Sequence, residues 1–508
     1  MIAQILSCAV VGVNAFFVEV EVDITSGLPT FTTVGLPETS VRESKERVKA
    51  AIKNSGYNFP DDRITVNLAP ADIKKEGTAF DLPMALGILT ATRTIPQQAM
   101  EQCIVIGELS LDGRVKPVKG SLTMAMEAKK AGYSSIIVPY ENRKEAAVVK
   151  GINVYPVKTL AQVTGFLSGF SQISSEQADI EALFQNHTQP DTDFSDIAGQ
   201  EHVKRAMEIS AAGSHNVLMT GPPGSGKTMI ARSFPSILPP LTFGEALETT
   251  KIFSITGMLE QDQALVTTRP FRAPHHTISD AGLIGGGQKP RPGEVSLAHN
   301  GILFLDELPE FKKHVLEVLR QPLEDGNVTI SRATSTLTFP SGFTLIAAMN
   351  PCPCGYLSDP THECKCSHHQ VQKYRAKISG PLLDRIDIQI EVPAVSFRKM
   401  ENHSPGETSN EIRKRVIKAR NIQSKRFLNS KIHSNSQMSN RQVKTFCKLE
   451  KESSILLEMA IKRFGMSARA FNRVIKIART IADIEGNDNI QTHHISEAIQ
   501  YRSMDRSN

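Results

Sequence analysis

No stretch of the chain reaches about eighteen unbroken apolar residues, the length that a membrane-spanning helix needs. No membrane span is expected. Cysteine is scarce and unevenly placed, with seven in 508 residues and four of them between Cys352 and Cys366, which is no disulfide framework for a chain this long. A reduced, cytoplasmic protein is expected instead. The opening MIAQILSCAVVGVNAFFVEVEVDI lacks a basic leader, is interrupted by Asn14 and Glu19, and then alternates like a strand, so it reads as neither signal peptide nor anchor. Charge of one sign is not in excess overall: 58 Lys and Arg face 53 Asp and Glu, a net +5. There is no repeat of solenoid period. With 40% hydrophobic and 22% charged residues, a disordered or fibrous chain is excluded, and the length suits two to four folded domains.

Charge and pattern then divide the chain. Residues 1–170 alternate β-rich runs (Phe16 to Ile24, Ile64 to Leu68, Ile104 to Ile106, Ser135 to Val138) with helical ones (Val41 to Ser55, Leu82 to Ala91, Leu122 to Ala131), which predicts an α/β or α+β domain. Residues 171–192 are polar and acidic and read as a linker. From 193 to 395 strands alternate with helices again, including a Cys-rich loop at 350–368. Residues 396–508 read as helices: Glu411 to Arg426, Asn440 to Phe464 with breaks, and Ala468 to Ile484. The basic surface is regional, because Arg398 to Lys448 holds 13 Lys and Arg against 3 Glu, a local +10 that leaves the remainder near −5.

The strand Asn216 to Thr220 runs into Gly221, Pro222, Pro223, Gly224, Ser225, Gly226, Lys227 and Thr228, followed by a helical run. This is a P-loop in its required setting. Glycines let backbone N–H groups turn toward phosphate oxygens at a helix N-terminus, Lys227 neutralises β/γ charge, and the Thr228 hydroxyl is a ligand for Mg²⁺. ATP is the implied ligand.

A second apolar strand, Gly301 to Leu305, ends in Asp306 and Glu307, as a buried parallel strand does at its ligand-facing end. Asp306 is expected to hold the Mg²⁺ shell and Glu307 to polarise the attacking water, which makes the site hydrolytic. The competing reading has both carboxylates capping the next helix. A third strand, Phe343 to Met349, ends at Asn350, where an amide orients water without adding charge. Asparagine before proline is also a common turn residue.

These motifs, with Arg-Pro-Phe-Arg-Ala-Pro-His-His at 269–276, Gly-Pro-Leu-Leu-Asp-Arg-Ile-Asp at 380–387 and Ser-Ala-Arg at 467–469, resemble the AAA+ ATPases of the magnesium-chelatase group, and more narrowly the ComM (YifB) branch. The resemblance covers nearly the whole chain. It implies an AAA+ P-loop core between an N-terminal Lon-protease-like (ribosomal S5 domain 2-like) domain and a C-terminal helical lid. It further implies that Arg385 is an arginine finger reaching the γ-phosphate of a neighbouring subunit, and that Arg469 is a second sensor carried by the lid. A guanidinium placed in trans stabilises charge on the equatorial oxygens and makes turnover depend on assembly, usually a hexamer. The competing readings are a salt bridge within Asp384 to Asp387 for Arg385, and a solvated basic face continued by Arg473 and Lys476 for Arg469. By the same resemblance, Thr267 to Glu294 is an insertion projecting toward the ring pore. His275 and His276 within it have no third ligand at useful spacing.

Cys352, Cys354, Cys364 and Cys366 form C-x-C, nine residues, C-x-C, a set that can surround a structural Zn²⁺; free reduced thiols are the alternative. In the N-terminal domain, Ala71 to Asp81 and Ile106 to Gly120 look Lon-like, but the nucleophile position falls at Ala79 and the lysine position at Leu122, so proteolysis is not expected. A silent domain resembling the C-terminal domain of the recombination protein RadA is expected, with DNA contact or ring assembly as its role; Lys74, Lys75, Arg114, Lys116 and Lys119 are available to phosphates, and plain solvated side chains are the competing reading.

The favoured reading, which the ComM resemblance implies, is a DNA motor: a ring-forming, ATP-driven branch-migration helicase acting in homologous recombination of DNA taken up by natural transformation, with DNA, further copies of itself and recombination proteins as partners. The basic stretch supplies sequence-blind phosphate contacts that allow sliding. A chelatase-type motor subunit that remodels a partner complex is the alternative, and an ATP-dependent protease the disfavoured third.

Overall fold

In the computed structural model the chain is described except at residues 1, 186–191, 261, 289, 333–334, 358, 360–361, 395–405, 429, 431 and 503–508. Six residues of the expected linker, Lys289 of the insertion, and the start of the basic stretch at Arg398 lie outside the described residues. No helix among those described is long and apolar enough to cross a membrane.

The chain forms two compact units, one of Met1–His187 with Phe243–Thr267 and one of Thr188–Thr242 with Thr268–Asn508. In the first, strands β1 (Ile2–Val11), β2 (Asn14–Thr25), β3 (Thr30–Val34), β4 (Arg63–Ala69), β5 (Cys103–Val105), β6 (Ser135–Pro139) and β7 (Asn153–Val157) form a sheet in the order β3-β4-β2-β1-β5-β6-β7. β2 pairs antiparallel with β1 and β4, and every other pairing is parallel. Alternation decides which face of β2 is inside: Val18, Val20 and Val22 are buried while Glu19 is exposed. Helices α1 (Ser44–Asn54), α2 (Asp81–Ala91) and α3 (Ser121–Lys130) cover the sheet, and α2 is buried at every residue. Its Gly87 lies so close to β2 that a Cβ would stand 2.6 Å from Val22.

The stretch Phe243–Thr267, expected within the ATPase core, packs in this first unit. The helix Phe243–Thr256 buries Ala246, Thr249, Thr250, Ile252 and Ser254. The Ser254 hydroxyl donates to Glu145, and Lys119 Nζ donates to the Thr256 carbonyl at 3.1 Å. Nothing in composition changes at residue 243, so pattern reading gave no signal there. Ala79 and Leu122 are both buried, and the Leu122 backbone N–H donates to Glu145 at 3.0 Å. Of the lysines expected to face phosphates, Lys75 is buried with its ammonium on the Pro70 carbonyl. Lys74 pairs with Glu38 at 3.0 Å and Arg114 with Asp112 at 2.6 Å. The phosphate-facing expectation fails for Lys75, because a buried ammonium reaches no polyanion.

The second unit is built on five parallel strands: β8 (Val217–Thr220), β9 (Phe271–Arg272), β10 (Ile302–Leu305), β11 (Thr344–Met349) and β12 (Ile388–Glu391), in the order β9-β10-β11-β8-β12. β8, β10 and β11 are buried along their whole length, which explains their unbroken apolar runs. Being parallel, they bring their carboxyl ends to one edge, where α/β sheets bind ligands. Helices α4 (Glu201–Gly213), α5 (Lys227–Ser233), α6 (Ser409–Arg426), α7 (Lys451–Phe464) and α8 (Ala468–Glu485) follow in chain order. Thr408 and Glu411 form a capping box that starts α6 two residues before the expected Glu411. Val474, Ile477, Ala478 and Ile481 of α8 share a core with Val217, Ile346 and Ile388 of the sheet.

Candidate active site

The loop from β8 to α5 turns on Gly224 and Gly226, both with positive φ (74° and 89°). Gly221 has no room for a side chain, since a Cβ would collide with the Val392 carbonyl just past β12. Gln200, at the start of α4, donates its amide to the carbonyls of Ser225 and Pro393, each at 3.0 Å, and so ties that loop down. The Lys227 ammonium lies inside the loop, 2.7 Å from the Gly221 carbonyl and 2.8 Å from that of Pro222. Burial lowers its pKa, and Asp306 opposes that shift.

At the next strand ends the expected residues converge on this loop. Thr228 Oγ1 donates to Asp306 Oδ2 at 2.8 Å, so the two oxygen ligands expected for Mg²⁺ are neighbours. Asn350 Oδ1 accepts from Lys227 at 3.4 Å. Glu307 stands in the left-handed region at φ 52°, its backbone N–H on Asp306 Oδ1 at 2.9 Å. Although Glu307 is placed at the N-cap of the turn Leu308–Glu310, its side chain makes no capping bond. Instead its carboxylate lies 3.6 Å from His276 Nδ1. Tyr374, on the helix His368–Arg375, is close to Asn350; burial first, then Glu310, pushes its hydroxyl up to about 12, against a hydrogen bond from the Asn350 backbone.

The two arginines stand elsewhere. Arg385 donates to Glu324 and, at 2.8 Å, to the Pro381 carbonyl, so its guanidinium is engaged with a partner outside the Asp384 to Asp387 segment. Arg469 Nη1 is 3.8 Å from Asp384. Arg473, read from sequence as part of a solvated face, instead turns inward to Asp387, and Lys476 donates to the Ser436 carbonyl at 2.8 Å. Burial first, then Arg473, pushes the Lys476 ammonium down to about 8.

The four clustered cysteines come together. Sγ of Cys352 lies 3.3 Å from Cys354 and 3.7 Å from Cys364, and Cys354 lies 3.6 Å from Cys364. All four sulfurs fall within 4.8 Å of one another, and none is in a disulfide. Glu485, His493 and His494 also converge. There the geometry has a local cause: His494 Nδ1 accepts from the Gln491 backbone at 2.9 Å, which directs its Nε2 proton to Glu485 at 2.9 Å and closes a helix cap.

The family model for magnesium chelatase, subunit ChlI, matches residues 193–400, that for the ChlI C-terminal region matches 406–502, and one for subunit ChlI of Mg-chelatase matches 20–142. Competence protein ComM of Haemophilus influenzae is 43% identical over 509 residues, covering 99% of this chain and 98% of that protein. The protein YifB of Escherichia coli is 42% identical over 500 residues, covering 98% and 96%. This chain belongs to the ComM/YifB family. Lon protease 2 of Bacillus subtilis is 31% identical over 175 residues, 30% of this chain and 31% of that one.

As a ComM/YifB member the chain is a magnesium-chelatase-type AAA+ ATPase, for which ATP and Mg²⁺ are the implied substrate and metal. Sequence reasoning about this ComM/YifB chain left out Gln200, saw Arg473 only as part of a basic face and weighed His276 only as a metal ligand. Gln200 and Arg473 bond to groups far away in sequence, which leaves no local pattern. His276 had one available signal: it follows β9, the parallel neighbour of the strand that carries Asp306 and Glu307.

Proposed function

We propose that this chain is the subunit of an ATP-driven ring, of six copies in the usual form, that moves DNA by branch migration during homologous recombination of DNA taken up in natural transformation. The observation that carries the motor's chemistry is the contact of Thr228 with Asp306, with Glu307 next in sequence and Asn350 on Lys227. Two adjacent oxygens suit a hard divalent cation, and Mg²⁺ bound there would neutralise triphosphate charge. Lys227 binds the β and γ oxygens, Glu307 holds and polarises the attacking water, and Asn350 orients it. Arg385 leaves Glu324 to meet the γ-phosphate held by an adjacent copy, and Arg469 responds to nucleotide from the helical lid. The reading includes a structural Zn²⁺ on Cys352, Cys354, Cys364 and Cys366, separate from the phosphate site.

The DNA part is supported by the name of the competence relative and by exposed cations of the basic stretch. That stretch is not wholly available: Arg415 pairs with Glu208, Arg420 bonds the Ala211 carbonyl, and Arg426 pairs with Asp483. Lys414, Lys418, Lys425, Arg441, Lys444 and Lys448 are exposed and supply the phosphate contacts. The N-terminal unit serves as a Lon-like domain without protease chemistry, because Ala79 and Leu122 offer neither nucleophile nor base.

ATP hydrolysis measured with and without four-way-junction DNA tests this. Stimulation by DNA, with binding that weakens steeply as salt rises, is expected. Absence of both stimulation and salt-sensitive binding would reject the motor. Stimulation by a partner protein alone would favour the chelatase-type alternative, which the ChlI family models bring forward.

A further inference from the structure

The cysteine cluster is joined to the phosphate site by two short connections. Cys352 is two residues beyond Asn350, whose amide oxygen is on Lys227. Gly355, which donates its N–H to the Cys352 carbonyl at 3.0 Å to close the turn, lies against the P-loop. A Cβ at Gly355 would stand 2.6 Å from Pro223 Cδ and 3.9 Å from the Asn350 amide carbon. On its other side, Cys366 leads directly into the helix His368–Arg375, which carries buried Tyr374 beside Asn350.

The sulfur separations of 3.3, 3.7 and 3.6 Å are too long for a disulfide. They lie close to about 3.8 Å, the edge of a tetrahedron with zinc–sulfur bonds of about 2.3 Å. By sequence, Gly355 to Glu363 offer only Tyr356, Leu357 and Pro360 as apolar side chains, little for a hydrophobic core.

We propose that Zn²⁺ on these four thiolates is a positioning device for catalysis: by closing the Cys352 to Cys366 loop it holds the Asn350 amide and Pro223 in register, so that ATP turnover, more than ATP binding, depends on the metal. This rests on the zinc reading above. The metal has no open position and takes no part in the chemistry. The loop holds Asn350 from the end of β11 and meets the β8 to α5 connection at Pro223, which has no backbone N–H to offer phosphate, whereas the N–H groups and Lys227 that bind phosphate belong to the rest of that connection.

Zinc content of the full chain, prepared without chelator, tests the first part, and one Zn²⁺ per chain is expected. Absence of metal, together with no thiolate-to-cobalt absorption on adding Co²⁺, would overturn the site itself. Chelation of metal-loaded protein tests the second part. A fall in kcat of roughly tenfold, with affinity for a fluorescent ATP analogue nearly unchanged and activity restored by Zn²⁺, is expected. Metal-free protein that keeps its circular dichroism and full kcat would overturn the positioning role while leaving the zinc site standing. Gly355→Ala keeps all four thiols and presses a Cβ on Pro223, so it tests the contact through which the loop would act: it should retain zinc and lose kcat, and retained zinc with normal kcat would overturn positioning through that contact.

Discussion

Arg473 is ion-paired with Asp387, the final carboxylate of Leu-Leu-Asp-Arg-Ile-Asp, and His215 takes the other oxygen of that carboxylate at 3.1 Å. One turn earlier on α8, Arg469 faces Asp384. Two arginines of the Ser-Ala-Arg helix thus grip the two aspartates that flank Arg385. His215 is fully buried, and burial, followed by Lys476 and Arg473, holds its pKa well below the usual histidine value, so the imidazole is neutral.

Arg473→Ala should therefore be severely destabilising. It leaves Asp387, 2% exposed, as a buried charge facing a neutral ring. A loss of about 3 kcal/mol is expected, read as a lower urea midpoint for the second unit. Unchanged midpoints would show that the pair is not structural.

Glu307→Gln should bind ATP and assemble normally while kcat falls at least about 100-fold, the scale of a lost general base. The substitution keeps the side chain's size but removes the charge proposed to polarise water. Wild-type turnover in this variant would assign water activation to another group.

Placement of Arg385 in trans has a sharper test. Arg385→Ala and Glu307→Gln should each be inactive alone. Mixed before assembly, they should recover part of the wild-type rate, because a pocket with intact Glu307 then meets an intact Arg385 from its neighbour. A mixture as inactive as its components would place Arg385 in cis or outside the reaction.

In the first unit, Glu145 gathers Ser121 Oγ at 2.6 Å, the Leu122 N–H at 3.0 Å, Asn142 Nδ2 at 3.3 Å and the Ser254 hydroxyl. Glu145→Ala strands several buried donors at once and should cost about 3 kcal/mol or more. Faster proteolysis between residues 243 and 267 checks it, since Ser254 loses its acceptor.

The features legible in the sequence were those set by adjacent residues. The P-loop, the strands ending at Asp306 and Asn350, and the helix Ala468–Glu485 follow from local glycine placement, unbroken apolar runs and 3.6-residue periodicity. The cysteine cluster was legible because its spacing is short. The Arg473, Asp387 and His215 network was not, since its members are 86 and 172 residues apart and each reads locally as an ordinary surface polar residue. Likewise Lys75 and Arg426 look like solvent-facing cations until tertiary packing turns them to a carbonyl and a carboxylate.

The helix Phe243–Thr256 also fixes how this protein can be taken apart. The backbone departs from the first unit near residue 187, comes back at Phe243 and departs again after Thr267, so the two bodies are interleaved along the gene rather than arranged end to end. A truncation within the linker would release an N-terminal fragment stripped of one of its own helices, with Glu145 uncovered. It would equally leave the remaining fragment with that helix attached and no surface of its own to bury it. Separating the two by a single cut therefore damages both.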